Sequence, residues 1–128
     1  MTRLAESPLA GGNEVWLCVC VTACPDSGAR CKVVGEIDFD NAAQLRQTLL
    51  TALAAHRGGV SLDLSAVMFC DCSGLSVLLR ARRYASDQHL SLRISAVSRP
   101  VRRLLELTGT ASLLTEHAQP DSLRGYVE

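Results

Sequence analysis

Apolar residues along this chain switch repeatedly between a spacing of two and a spacing of three to four, and this alternation restricts the fold more tightly than any other feature. Val15 to Thr22, rich in β-branched and aromatic residues, predicts a strand. Pro25, Asp26, Ser27 and Gly28 predict a turn, and Cys31 to Gly35 the returning strand of a hairpin. The period then lengthens. Asn41, with Gln44 three residues on, presents the polar pair of a capping box, and Leu45, Leu49, Ala52 and Leu53 recur at helical spacing up to Gly58 and Gly59. Val60, Leu62 and Leu64 alternate with Ser61, Asp63 and Ser65, as in a strand with one apolar face. Leu75, Leu78, Leu79 and Arg82 then lie on one helical stripe, with Ala81 and Ala85 beside it. Leu90, Leu92, Ile94 and Ala96 alternate again. Ser98 opens a third helix with Pro100 in its first turn, Val101, Leu104, Leu105 and Thr108 as its buried stripe and Gly109 at its end. A short strand over Ser112–Thr115 and a short helix over Pro120–Tyr126 complete the expected order.

The order ββαβαβα predicts an α/β fold whose mixed sheet starts with an N-terminal hairpin and continues through parallel crossover units. The polar faces of the inner strands predict helices mainly on one face, since strands covered on both sides would be apolar throughout. Neither a repeat nor a linker divides the 128 residues, so we expect a flexible N-terminal tail over 1–13 and one domain over 14–128. Thirteen basic residues balance thirteen acidic ones, which leaves no net positive field to attract nucleic acid or an anionic membrane. Met1 to Asn13 has no continuous apolar core of a secretory signal, and Val15 to Val21 is too short to span a bilayer, so a cytoplasmic location is expected. In that compartment the six cysteines are expected to be free thiols. Cys18 and Cys20, on the strand face that carries Trp16, read as small apolar residues, and Cys70 as part of the core.

Between the fourth expected element and the helix after it lies Phe69-Cys70-Asp71-Cys72-Ser73-Gly74-Leu75. A helix starting near Ser73 would turn unpaired N–H groups and the positive end of its dipole toward this segment, a setting that favours an anion such as a phosphate or a thiolate. Asp71 opposes that with its own charge, and reads equally as a turn or capping residue and as a partner contact. Signs of catalysis are absent. The chain has neither a phosphate-binding G-x-x-x-x-G-K-[ST] loop nor a G-x-S-x-G elbow, and Leu78 stands where a cysteine phosphatase keeps its arginine. Cys18, Cys20, Cys24 and Cys31 do not have zinc-ligand spacing, and His56, His89 and His117 stand alone, so no metal or cofactor is expected. Arg82-Arg83 and Arg102-Arg103 read as solvated helix faces.

The same segment resembles the F-x-D-S-S-G-L of the anti-sigma factor antagonists, which are built on the sulfate-transporter and anti-sigma-antagonist (STAS) domain. Gly35-Glu36-Ile37-Asp38 is similar to the family's G-E-[LI]-D, Leu62-Asp63-Leu64-Ser65 to its L-D-L-S, and Ala96 to Gly109 to its third-helix region. The likeness runs from about Val33 to Leu114. It implies the STAS fold and a non-enzymatic module that binds an anti-sigma factor of the serine-kinase type and so frees a sigma factor. In the family the serine just after the aspartate is phosphorylated, which weakens the complex; here Cys72 holds that position, and Ser73 carries the next hydroxyl. The resemblance implies a docking surface of Asp38, Asp71, Cys72, Ser73, Gly74, Leu75 and Ser76. Cys70 also replaces an apolar residue of the family, and Thr110 a leucine. A redox-responsive or non-switching STAS module using Cys70 and Cys72 is the alternative. Whether the chain forms a homo-oligomer is left open by the sequence.

Overall fold

A computed structural model describes residues 2–3 and 17–112. A two-residue strand, β1 (Thr2–Arg3), is followed by β2 (Leu17–Ala23), β3 (Ala29–Ile37), α1 (Ala42–Ala55), β4 (Val60–Cys70), α2 (Cys72–Asp87), β5 (Leu92–Val97) and α3 (Arg99–Thr108). The strands form one sheet in the order β1-β2-β3-β4-β5. The hairpin β2–β3 is antiparallel, while β3–β4 and β4–β5 are parallel, as crossovers through α1 and α2 require. This is the mixed α/β sheet expected from the order of periods. Val15 and Trp16, most of the 1–13 tail and Leu113 to the C-terminus lie outside the described residues. Ala111 and Ser112 are helical, so the expected strand from Ser112 does not begin there; the rest of it and the terminal helix also lie outside the described residues.

Register puts the apolar residues on one face. Leu17, Val19, Val21, Cys31, Val33, Val60, Leu62 and Leu64 are buried there against Leu45, Leu49 and Leu53 of α1 and Leu75, Leu78, Ala81 and Ala85 of α2. The alternate positions, among them Thr22, Arg30 and Lys32, are exposed. Cys18 and Cys20 sit half-buried on that second face, opposite the core. Helices thus cover mainly one side. Two expectations need correction. Asn41 precedes α1 but its side chain makes no capping bond to the helix, because it is turned back toward the end of β3. Leu79 is only half-buried, whereas Val77 and Leu78 are buried, so the inward stripe of α2 lies closer to Val77 and Leu78 than the leucine spacing predicts. No helix among the described residues is long and apolar enough to cross a membrane.

The N-terminal ends of the parallel strands are tied together. Ala29 N–H donates to Gly59 O at 2.9 Å, Gly58 N–H to Ser27 O at 2.8 Å and Val60 N–H to Ser91 O at 2.8 Å. A Cβ on Gly58 would come within 2.6 Å of Asp26 O, so only glycine fits this knot. The C-terminal ends of β3 and β4 lie at the other end of the sheet, where loops are free to carry function.

Candidate functional site

Ile37 pairs with Cys70 in the parallel register, and Asp71 N–H donates to Ile37 O at 3.2 Å. The chain segments that follow β3 and β4 therefore leave the sheet side by side, bringing Asp38 next to the start of α2. Each is held by its own carboxylate. Asp38 Oδ1 accepts from the N–H groups of Asp40 at 3.0 Å and Asn41 at 3.2 Å. Asn41 Oδ1 accepts from Asp38 N–H at 2.9 Å, and its Nδ2 donates to Glu36 O at 2.8 Å. This closed ring orders the loop ahead of α1 without capping the helix, and Phe39 within it is 80% exposed.

Asp71 caps α2. Its Oδ1 accepts from Ser73 N–H at 2.8 Å and Gly74 N–H at 3.4 Å, so two of the helix's unpaired donors are already satisfied by protein. The helix begins at Cys72, one residue earlier than expected, and Cys72 is exposed as its first residue. Ser76, one turn on, is exposed too, whereas Ser73 is half-buried. Gly74 and Leu75 are buried. A Cβ on Gly74 would stand 2.5 Å from Cys70 Sγ and 2.7 Å from Ile37 Cγ2, so its bare backbone lets α2 seat against β3 and β4. Of the seven expected docking residues, then, Cys72 and Ser76 present side chains, Asp38, Asp71 and Ser73 present parts of theirs, and Gly74 and Leu75 shape the surface from beneath.

The two cysteines of the segment are in opposite environments. Burial, and then the nearby Asp71 and Cys72, push the Cys70 thiol up to about 12, and its Sγ lies 3.5 Å from Asp71 O. Cys70 is thus a protonated core thiol at neutral pH while Cys72 faces solvent, which weighs against a redox pair made of these two. None of the six cysteines is in a disulfide. Among the described residues no group of His, Cys, Asp and Glu converges on a possible metal position.

Three features escape the sequence reading. Gly35 pairs with Val67 but Glu36 with Phe69, so Met68 is bulged out of the ladder. The bulge leaves Met68 60% and Phe69 48% exposed, adding apolar surface toward the end of β4. The signal was the spacing of three between buried Val67 and Cys70, which breaks the alternation. The third feature is a shallow open groove on α2, lined by Cys72, Leu75, Ser76, Leu79, Arg80 and Arg83. These positions follow one helical face from the first turn onward, and the leucine stripe hid them by suggesting that Leu79 points inward.

The family model described as "Mlab, STAS domain" matches residues 20–115. The chain belongs to this STAS-domain family. Among solved structures, an anti-sigma factor antagonist from Mycobacterium paratuberculosis is similar at 23% identity and a TM-score of 0.68, over 88% of this chain and 95% of that one. The anti-sigma factor antagonist SpoIIAA in its unphosphorylated form matches at 19% identity and a TM-score of 0.63, over 86% and 99%. The phosphorylated form of SpoIIAA, described as a Bacillus cell fate determinant, matches at 16% identity and a TM-score of 0.59, over 86% and 99%. At these identities the likeness establishes a shared fold. No curated protein matches the chain in sequence.

Proposed function

We propose that the chain is an anti-sigma factor antagonist: a cytoplasmic, non-catalytic module that binds an anti-sigma factor of the serine-kinase type and so releases a sigma factor. The observation that carries this reading is the exposed first turn of α2, with Cys72 and Ser76 outward, set beside the Asp38 loop at one end of a STAS sheet. SpoIIAA, of the same fold, is known in phosphorylated and unphosphorylated forms. The motif resemblance puts the family's phosphorylated serine at residue 72, where this chain carries a thiol. Phosphate adds about two negative charges and disrupts a contact by repulsion and desolvation, and without a hydroxyl at residue 72 that route to dissociation is lost. The partner-bound state is then the default, and the chain acts as an antagonist that kinase activity does not switch off.

A second reading shares the surface but not the partner. A non-switching STAS scaffold would bind some other protein at the same end of the sheet, and the absent hydroxyl at Cys72 favours it as much as it favours an always-active antagonist. Calorimetry against a kinase-type anti-sigma factor separates the two. We expect saturable binding that is weakened at least tenfold by Ser76→Arg and measurably by Phe39→Ala, with thermal unfolding unchanged, since both side chains are exposed. Absence of binding by the unaltered protein to any such factor would leave the scaffold reading.

A further inference from the structure

The geometry points to the kind of partner surface that fits α2: an amphipathic helix whose apolar ridge covers Leu79 and the small uncovered edge of Leu75 and whose acidic residues, about one turn apart, meet Arg80 and Arg83. This rests on the proposed docking role of the start of α2 and extends it along the helix. The groove runs from Cys72 to Arg83, a rise of about 16 Å, or about three helical turns. Its floor is apolar and small toward the N-terminal end, with Leu75, Leu79, Cys72 and Ser76, and its charged lining is two arginines toward the C-terminal end. No carboxylate lines it. Asp71, at the opposite end, already spends its Oδ1 on the cap of α2.

Such a pattern reads out both shape and direction. An apolar strip this narrow takes the ridge of a helix, in which contacts recur at three and four residues. The arginine pair then fixes which way that helix runs, because reversing it would leave both guanidinium groups opposite the wrong end. Nucleic acid or a lipid surface would call for a continuous basic face. Here thirteen acidic residues balance thirteen basic ones over the chain, and Leu79 and Leu75 occupy the ground between the arginines and the helix start. A protein helix with carboxylates at one end is the occupant this chemistry selects.

The test uses the full chain and two synthetic peptides stabilised as helices, each with leucines at i, i+3, i+4 and i+7. One ends in two glutamates a turn apart, the other in two lysines at the same positions. Amide chemical shifts are followed across the protein at two salt concentrations. We expect the acidic peptide to bind roughly fivefold or more tighter than the basic one, with shifts confined to residues 72–83 and the preference shrinking as salt rises. The double variant Arg80→Glu/Arg83→Glu should reverse the preference, and Arg80→Gln/Arg83→Gln, which carries less repulsion, should abolish it. Equal binding of the two peptides, or shifts centred elsewhere, would overturn the inference. An anti-sigma factor that binds normally while the peptides fail this test removes only the helix proposal. Peptides that behave as expected while every anti-sigma factor fails to bind remove only the partner's identity.

Discussion

Single residues in this protein are set apart mainly by how their thiols and carboxylates meet water. Cys31 is pushed up to about 12 by burial and by Cys20, and Cys70 to about 12 by burial, Asp71 and Cys72. A thiol in the unfolded chain ionises near 8.5. Below that pH both states hold the proton, so the two cysteines give no pH dependence. Above it only the unfolded chain releases the proton, and stability falls as pH rises toward 12, by up to about 1.4 kcal/mol per pH unit for each thiol. Urea unfolding at pH 8 and pH 10 should therefore show a loss that is markedly smaller in a Cys31→Ala/Cys70→Ala protein, although that protein starts from lower stability. An equal loss in both would show that the thiols do not cause it. Alkylation at neutral pH should modify Cys72 long before Cys31 or Cys70. Asp63 behaves in the opposite sense. Partial burial tends to raise its carboxyl, but hydrogen bonds from Ser65 and the charges of Lys32 and Arg30 outweigh this and lower it. Its contribution is present above the unfolded carboxyl range and is lost as pH falls through the lowered value.

Secondary-structure elements show where the sequence was readable and where it was not. The helical period of α2 was plain from Leu75, Leu78, Ala81 and Ala85, all of which are buried. Leu79 was misplaced because leucine content alone cannot separate the edge of an inward face from its centre. Leu78→Ala should cost about 2–5 kcal/mol, and Leu79→Ala clearly less, since part of its side chain already faces water. Equal losses in denaturant unfolding would restore the original stripe. The bulge at Met68 was not legible, because it is fixed by pairing with β3 and leaves only a broken alternation in β4. Nor was the Asp38–Asn41 ring. Asn41 and Gln44 match a capping box, yet Asn41 finds better-placed partners in Asp38 N–H and Glu36 O. Asp38 is therefore structural as well as a docking candidate, and Asp38→Ala should lower stability by about 1 kcal/mol, even if it also weakens binding. Backbone strain offers a converse test. Ser27 and His89 hold φ of 74° and 59° without being glycine. His89→Gly should raise stability by about 0.5 kcal/mol, the relief of a left-handed side chain less the entropy glycine loses. A destabilised His89→Gly would mean that the imidazole makes contacts worth more than the strain.

At the scale of the whole molecule, the fold separates two ends. One is a glycine-dependent knot of loops around Ser27, Gly58 and Gly59, and the other carries the Asp38 loop, the Met68 bulge and the start of α2. The fold and the place of the candidate site within it were legible together because the motif Asp71-Cys72-Ser73-Gly74 falls where a strand period gives way to a helix period. Gly74, which must lack a Cβ to pass Cys70 and Ile37, ties that motif to the sheet. What the motif could not convey is the surface around it, since exposure of Phe39, Met68 and Phe69 depends on neighbours distant in sequence. The consequence for function rests on one atom. A kinase that transfers a phosphoryl group to a serine oxygen needs its acceptor in line and close, and a shift of about 1 Å can cost roughly a hundredfold in rate. Sulfur at Cys72 is larger and binds phosphorus more weakly, while Ser73 is half-buried and a residue further round the helix. The most direct measurement is the release of labelled sigma factor from its complex with a kinase-type anti-sigma factor, followed during prolonged incubation with ATP and magnesium and closed by phosphosite mapping. The unaltered protein should release sigma factor and keep it released without being phosphorylated. Cys72→Ser should release it at first and then lose activity as residue 72 is phosphorylated. Failure of the unaltered protein to displace sigma factor would rule out an antagonist, and its rapid inactivation with phosphate on Ser73 would rule out an antagonist that the kinase leaves on.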